Sequence, residues 1–155
     1  MSAESVRAWL AANAPDLPII DQSESTATVA EAAATLGVEP GRIAKTLAFR
    51  VGDTAMLLVA RGDARLDNAK TKAELGGRPR MLDAEATLAL TGHAVGGVCP
   101  FGLANKVPVL CDRSLLAYDT VFPAAGSRTS SIEITPARLA ELTSARWVDI
   151  CKLPT

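Results

Sequence analysis

Two parts of this sequence carry residues suited to chemistry: Lys45, and the stretch from Thr91 to Gly102 that reads Thr-Gly-His-Ala-Val-Gly-Gly-Val-Cys-Pro-Phe-Gly. The stretch holds four of the eleven glycines (Gly92, Gly96, Gly97 and Gly102), the only histidine (His93), Cys99 and Pro100. That density is too great for a helix or a regular strand. Glycine admits positive φ and lets other groups approach the main chain, while proline fixes one φ and removes one donor. The expected product is a rigid loop with exposed amides, suited to an anion or a developing oxyanion. A tight connection between two elements is the bland alternative for a glycine-rich stretch taken alone. Lys45 precedes an apolar strand pair, so its ammonium can stand at the rim of a sheet. Together they describe a carbonyl or anion site with one cation, several amides and no general base. A cysteine-dependent site using Cys99 as nucleophile and His93 as base is the competing constellation.

Composition narrows the classes. A chain of 155 residues, 48% hydrophobic and 21% charged, fits one globular domain spanning 1–155 with a single core. No apolar run is long enough to span a bilayer and no leader-like start is present, which points to a cytoplasmic protein with no membrane partner. Three widely separated cysteines (Cys99, Cys111, Cys151) form neither a disulfide framework nor a CxxC motif. With one histidine, a zinc site would need an unusual ligand set, so no metal and no cofactor is expected. The hydrolase signatures GxSxG and HExxH and the phosphate loop GxxxxGK[ST] are missing. A net charge of −1 argues against a protein that coats duplex DNA. Between Arg61 and Arg80, however, six basic residues stand against three acidic ones, a patch or merely a solvated helix face.

The positioning elements follow from pattern. A helix is expected from about Ala3 to Asn13, ended by Pro15 and Pro18, and Leu17 to Ile20 can form a short strand. Thr28 with Glu31 is a capping box for a helix stopped by Gly37. After the Pro40-Gly41 turn the period becomes strand-like: Thr46–Val51 and Thr54–Ala60 flank Gly52-Asp53 as a hairpin, with Lys45 at its entrance. Asp67 caps a helix through Leu75 closed by Gly76-Gly77, and Asp83 caps another through Leu90, with a strand at Arg78–Leu82 between them. Lys106–Cys111, Thr120–Pro123 and Ser131–Ile134 read as strands, Pro108 favouring an edge or bulge. Thr135-Pro136 opens a last helix and Arg146–Ile150 a last strand. Strands and helices mix without strict alternation, an α+β domain on a mostly antiparallel or mixed sheet.

Ile43-Ala44-Lys45-Thr46-Leu47, then Leu66 to Gly76, Thr91 to Gly102 and Val121 to Ile134, in that order and spacing, resemble the YbaK and prolyl-tRNA synthetase editing-domain family. The likeness runs from about Thr26 onward, with the family's Gly-x-x-x-Pro loop on Gly96 to Pro100 and its essential lysine on Lys45. It implies a compact, barrel-like mixed sheet flanked by helices, and a free-standing enzyme that deacylates mischarged aminoacyl-tRNA. On that reading Lys45, Gly96 and Gly97 are catalytic, water attacks the ester, and no protein nucleophile is needed. The walls would be Thr46, Leu47, Phe49, Val98, Cys99, Pro100, Ala124, Gly126, Ser127 and Ser131. Arg78, Arg80, Lys106 and Arg128 would meet the acceptor end of the tRNA, and prolyl-tRNA synthetase is a candidate partner. Where some relatives carry serine and aspartate this chain has Ala124 and Ser131, which leaves cysteine, alanine, serine or a similar residue as the amino acid removed. A non-catalytic module that binds the aminoacylated 3′ end or a synthetase is the third reading.

Overall fold

The helices start where side chains can take up orphan amides. In the computed structural model, which describes residues 2–154, Thr28 accepts from the Glu31 N–H (3.1 Å) ahead of α2 (Val29–Leu36), and Asp67 from Lys70 (2.9 Å) ahead of α3 (Asn68–Leu75). Asp83 accepts from Ala86 (2.7 Å) to open α4 (Ala84–Thr91), and Thr135 from Arg138 (3.2 Å) to open α5 (Pro136–Thr143). Each such cap contributes about 1 kcal/mol. Gly37, Gly76 and Gly92 close α2, α3 and α4 with φ of 70°, 83° and 79°, the left-handed conformation glycine enters without a Cβ clash. The N-terminal helix α1 is Ser2–Asn13, and Val6 and Leu10 are its buried residues.

A two-residue turn fixes the central hairpin. Val51 faces Thr54 across Gly52-Asp53, and Gly52 has φ 60°, as a type II′ turn requires at its first position. This pairs β2 (Ile43–Val51) with β3 (Thr54–Arg61) over eight rungs, from Ala44↔Arg61 to Val51↔Thr54. The remaining strands are β1 (Ile20–Asp21), β4 (Arg65–Leu66), β5 (Arg80–Met81), β6 (Val109–Asp112), β7 (Phe122–Pro123), β8 (Ser130–Ser131), β9 (Arg146–Val148) and β10 (Cys151–Lys152). The main sheet runs β5-β2-β3-β6-β9, with β7 also on β2. It is mixed: β2–β3 and β2–β5 are antiparallel, whereas β2–β7, β3–β6 and β6–β9 are parallel. With its flanking helices this is the α+β class expected. β1–β8 and β4–β10 form two small antiparallel pairs.

Alternation along the hairpin divides the core. Ala44, Ala48, Leu57 and Val59 face the larger cluster, which includes Val6, Leu10, Phe101 and Ile132; Phe49, Met56, Leu58 and Ala60 face a second one with Val148 and Ile150. Several strands depart from their expected bounds. The first begins at Ile20, the one at Arg78–Leu82 shortens to Arg80–Met81, and Ser131–Ile134 becomes Ser130–Ser131 plus a bridge of Ile134 to Val121. β6 begins at Val109 and lies inside the sheet, so Pro108 is neither edge nor bulge. It precedes the strand, and its carbonyl accepts from the Leu57 N–H (3.0 Å).

Candidate active site

The sheet leaves a gap along the outer edge of β2. β7 covers that edge at Ile43 and Ala44, β5 covers it at Phe49 and Arg50, and the Leu82 N–H donates to the Ala48 carbonyl (3.0 Å). No strand pairs with Lys45, Thr46 or Leu47 on that side among the described residues. Because the Ala48 carbonyl points away from β3, the Thr46 N–H and C=O, two residues earlier, point the same way into the gap. A cavity of about 300 Å³ occupies this place. The Thr46 hydroxyl, also at this wall, is buried and has no hydrogen-bond partner among the described residues.

Seven of the residues singled out in the sequence line the cavity: Lys45, Thr46, Leu47, Gly96, Val98, Ala124 and Ser131. Lys45 is the third residue of β2 rather than standing at its entrance. Its half-buried ammonium donates to the Ala64 carbonyl beyond the end of β3. Burial lowers its pKa, opposed by the nearby Cys151 and Asp63 and reinforced by Arg65. Gly96 takes φ 97°, and a Cβ there would lie 3.2 Å from both Ala27 Cβ and Arg128 Cγ.

Other expected wall residues stand elsewhere. Phe49 is fully buried in the second core cluster, and Cys99 and Pro100 are buried behind the loop. Gly126 packs on α1, with Ser2 O 2.9 Å from where its Cβ would be, and Ser127 bonds Ser130 (Oγ to Oγ, 2.7 Å). Gly97 lies under that turn, its Cβ position 3.0 Å from Ser127 N, and its N–H is spent on the Ala94 carbonyl (3.0 Å). Among the described residues no acceptor takes the N–H of Gly96 or of Val98, and both residues line the cavity. Of the expected pair, then, the Gly96 amide is free for a ligand and the Gly97 amide is not, while Val95 and Val98 beside them in the lining also have amides that no acceptor takes among the described residues. The Thr46 amide is a further donor that pattern reading missed, since only strand pairing reveals an open edge.

The Cys99 and His93 side chains do meet, at 3.6 Å between Sγ and Nε2, but away from the cavity lining. His93 Nε2 also lies 2.7 Å from the Phe101 carbonyl, which only accepts, so Nε2 carries the proton. Nδ1 is then the acceptor for the Ser2 hydroxyl (2.5 Å). Burial lowers the His93 pKa, opposed by the Phe101 bond, and burial pushes the Cys99 thiol up to about 12. A neutral thiol beside a nitrogen with no free lone pair is a packed core contact rather than an activated nucleophile. Arg78, Arg80, Lys106 and Arg128 are all exposed, and the Arg128 stem lies over Gly96. Among the described residues no cluster of three or more His, Cys, Asp or Glu could hold a metal ion, and no helix is long and apolar enough to cross a membrane.

Residues 23–142 match the family model described as the aminoacyl-tRNA editing domain. The chain belongs to this family. The editing domain is 47% identical over 154 residues to the uncharacterized protein YwhH of Bacillus subtilis, with 98% of each chain covered. It is 31% identical over 130 residues to the Enterococcus faecalis protein named "Putative Cys-tRNA(Pro)/Cys-tRNA(Cys) deacylase EbsC", covering 83% of this chain and 79% of that one. It superposes with a TM-score of 0.89, at 35% identity and 97% coverage of both chains, on the crystal structure of "a putative trans-editing enzyme for prolyl tRNA synthetase". The family resemblance drawn from Lys45 and the Gly96–Pro100 loop holds.

Proposed function

We propose that this editing domain is a hydrolase that clears mischarged aminoacyl-tRNA, with tRNA(Pro) carrying a small non-cognate amino acid such as cysteine, alanine or serine as its substrate. One observation carries the reading: Lys45, the unclaimed amides of Gly96 and Val98, and the open edge of β2 line the same cavity. The names of EbsC and of the structural neighbour support the choice of tRNA.

An aminoacyl ester is already activated, so its hydrolysis needs a positioned water and a place for the oxyanion more than a protein nucleophile. In this mechanism the Gly96 and Val98 N–H groups bind the ester carbonyl and hold the charge as the tetrahedral intermediate forms. Lys45, steered by the Ala64 carbonyl, adds a positive field at the wall. The attacking water passes its proton to the neighbouring ribose hydroxyl, which hands its own to the leaving ribose oxygen as the acyl C–O bond breaks, giving the free amino acid and the uncharged tRNA. Leu47, Val98 and Ala124 limit the side chain admitted. A methylene separates substrates by only about 1–3 kcal/mol, so selection against proline by shape is modest. The Arg128 stem over Gly96 suits contact with the acceptor end, in the cytoplasm and with prolyl-tRNA synthetase as delivering partner.

The test is a panel of tRNA(Pro) charged with cysteine, alanine, serine or proline, scored for free amino acid. Release of one or more of the small residues, with proline spared, is expected. Binding of charged tRNA without turnover would favour the non-catalytic module, and no binding would end the proposal.

A further inference from the structure

The loop that carries Gly96 is poorly held by its own main chain. With both partners between Ala94 and Gly102, the described residues give one main-chain hydrogen bond, from the Gly97 N–H to the Ala94 carbonyl. Glycines at 96, 97 and 102 widen the range of conformations open to that span. What ties its two ends together is a side chain. His93 Nε2 lies 2.7 Å from the Phe101 carbonyl, so the imidazole bridges the start and the finish of the segment that contains Gly96. The ring is itself anchored on the helix side, because the His93 N–H donates to Thr91 Oγ1 (3.0 Å), whose hydroxyl donates to the Thr87 carbonyl of α4 (2.7 Å).

The other ring nitrogen is engaged by a distant element. The Ser2 hydroxyl of α1 stands 2.5 Å from Nδ1. A donor on one ring nitrogen leaves the proton on the other, so Ser2 sets the tautomer that can donate to Phe101. Helix α1 meets the loop at further points: a Cβ on Gly102 would lie 2.8 Å from the Ser5 carbonyl carbon, and the Trp9 and Phe101 ring centroids are 5.5 Å apart. His93 is fully buried and outside the cavity lining, so it touches no ligand there. A leucine would fill such a site, but it would not tie Phe101 to the start of the loop.

We propose that His93 is the positioning residue of the Gly96 loop, its imidazole oriented by Ser2 and bonded to the Phe101 carbonyl so that the Gly96 backbone is kept at the cavity wall. This rests on the hydrolase reading above and extends the catalytic apparatus to the first turn of α1. His93 takes no part in bond breaking.

The chain has one histidine, so the ring nitrogens can be read directly by nitrogen-15 NMR of the labelled protein. At neutral pH the proton should be on Nε2 with Nδ1 bare, and the reverse tautomer would overturn the assignment. His93→Leu should lower kcat on mischarged tRNA(Pro) about tenfold, the upper end of what one hydrogen bond commands, with KM little changed. His93→Gln places an amide N–H where Nε2 stood and should restore most of that kcat. The backbone amide resonances of Gly96 and Val98, recorded without substrate, should shift in the leucine variant and return in the glutamine variant. Should His93→Leu fail to fold, Ser2→Ala leaves the imidazole in place and should mix its two tautomers, with a smaller fall in kcat; a single tautomer and full kcat there would overturn the proposal. Unchanged kcat and loop resonances in folded His93→Leu, or a His93→Gln protein as impaired as His93→Leu, would overturn it and leave the hydrolase reading intact. A wild type that cleaves no mischarged tRNA, with loop resonances that still shift and return as stated, would overturn the hydrolase reading and leave the loop's tie standing.

Discussion

Thr46→Val should make this protein more stable and less active, a combination that a purely structural threonine does not produce. The Thr46 hydroxyl is buried without a partner among the described residues, while the residue opposite it on β3, Val59, is fully buried. A hydroxyl taken from water with no replacement bond costs about 1–3 kcal/mol, and valine fills the same shape and suits a strand. Taking the lower end, the variant should gain about 1 kcal/mol, which for a chain of this size is a rise of roughly 2–4 °C in Tm. The same hydroxyl is at the wall of the cavity and is the donor a bound aminoacyl group can use, so kcat/KM should fall about tenfold. Differential scanning calorimetry and single-turnover deacylation on one protein preparation read both quantities. A Tm that falls would mean that the hydroxyl has a partner in solution. An unchanged kcat/KM would mean that the substrate never meets it. Either result refutes the reasoning.

Three further outcomes follow from the loop. Gly96→Ala forces a side chain into φ 97° and against Ala27 and Arg128, so it should cost about 1–3 kcal/mol of stability and move the Gly96 amide. Deacylation should then drop by about 100-fold, the scale of one missing oxyanion donor, with KM as the control for binding. Cys99→Ala should keep kcat within a few fold, and native Cys99 should resist alkylation at pH 8 because its pKa stands near 12; orders-of-magnitude loss would revive the cysteine mechanism. His93 has a folded pKa below its unfolded value of about 6.5, so its contribution to stability is complete above that pH and is lost as pH falls below it. Tm measured between pH 7.5 and 5 should decline in the wild type and decline less in His93→Gln, and parallel curves would contradict the assignment.

Local chemistry made most of the helices legible. Thr28, Asp67, Asp83 and Thr135 each cap a helix through their own side chains, and Gly52-Asp53 declares its hairpin through one positive φ. What lay hidden depends on pairing between distant segments. β4 and β10 are two-residue strands that exist only because Leu66 meets Cys151, and no periodicity marks so short a piece. The open edge of β2 arises where β7 ends and β5 begins, so Thr46 as a main-chain donor needed the register. Within the loop, the glycines announced an unusual backbone, but which amides stay free was decided by the turn that engages Gly97 with Ala94. Cys99 and His93 offered only a competing catalytic pair, two reactive types six residues apart. Burial and the Phe101 carbonyl make them structural.

The central claim is that one cavity binds and cuts the ester using main-chain donors and the field of Lys45. Its most direct test is release of free amino acid from mischarged tRNA(Pro) by the wild type, Lys45→Ala and the Cys99→Ala/His93→Gln double variant, each shown to be folded at the assay temperature. The account predicts rapid release by the wild type, near abolition in Lys45→Ala and substantial retention in the double variant. Full activity in Lys45→Ala, or loss of catalysis in a folded double variant, would contradict it.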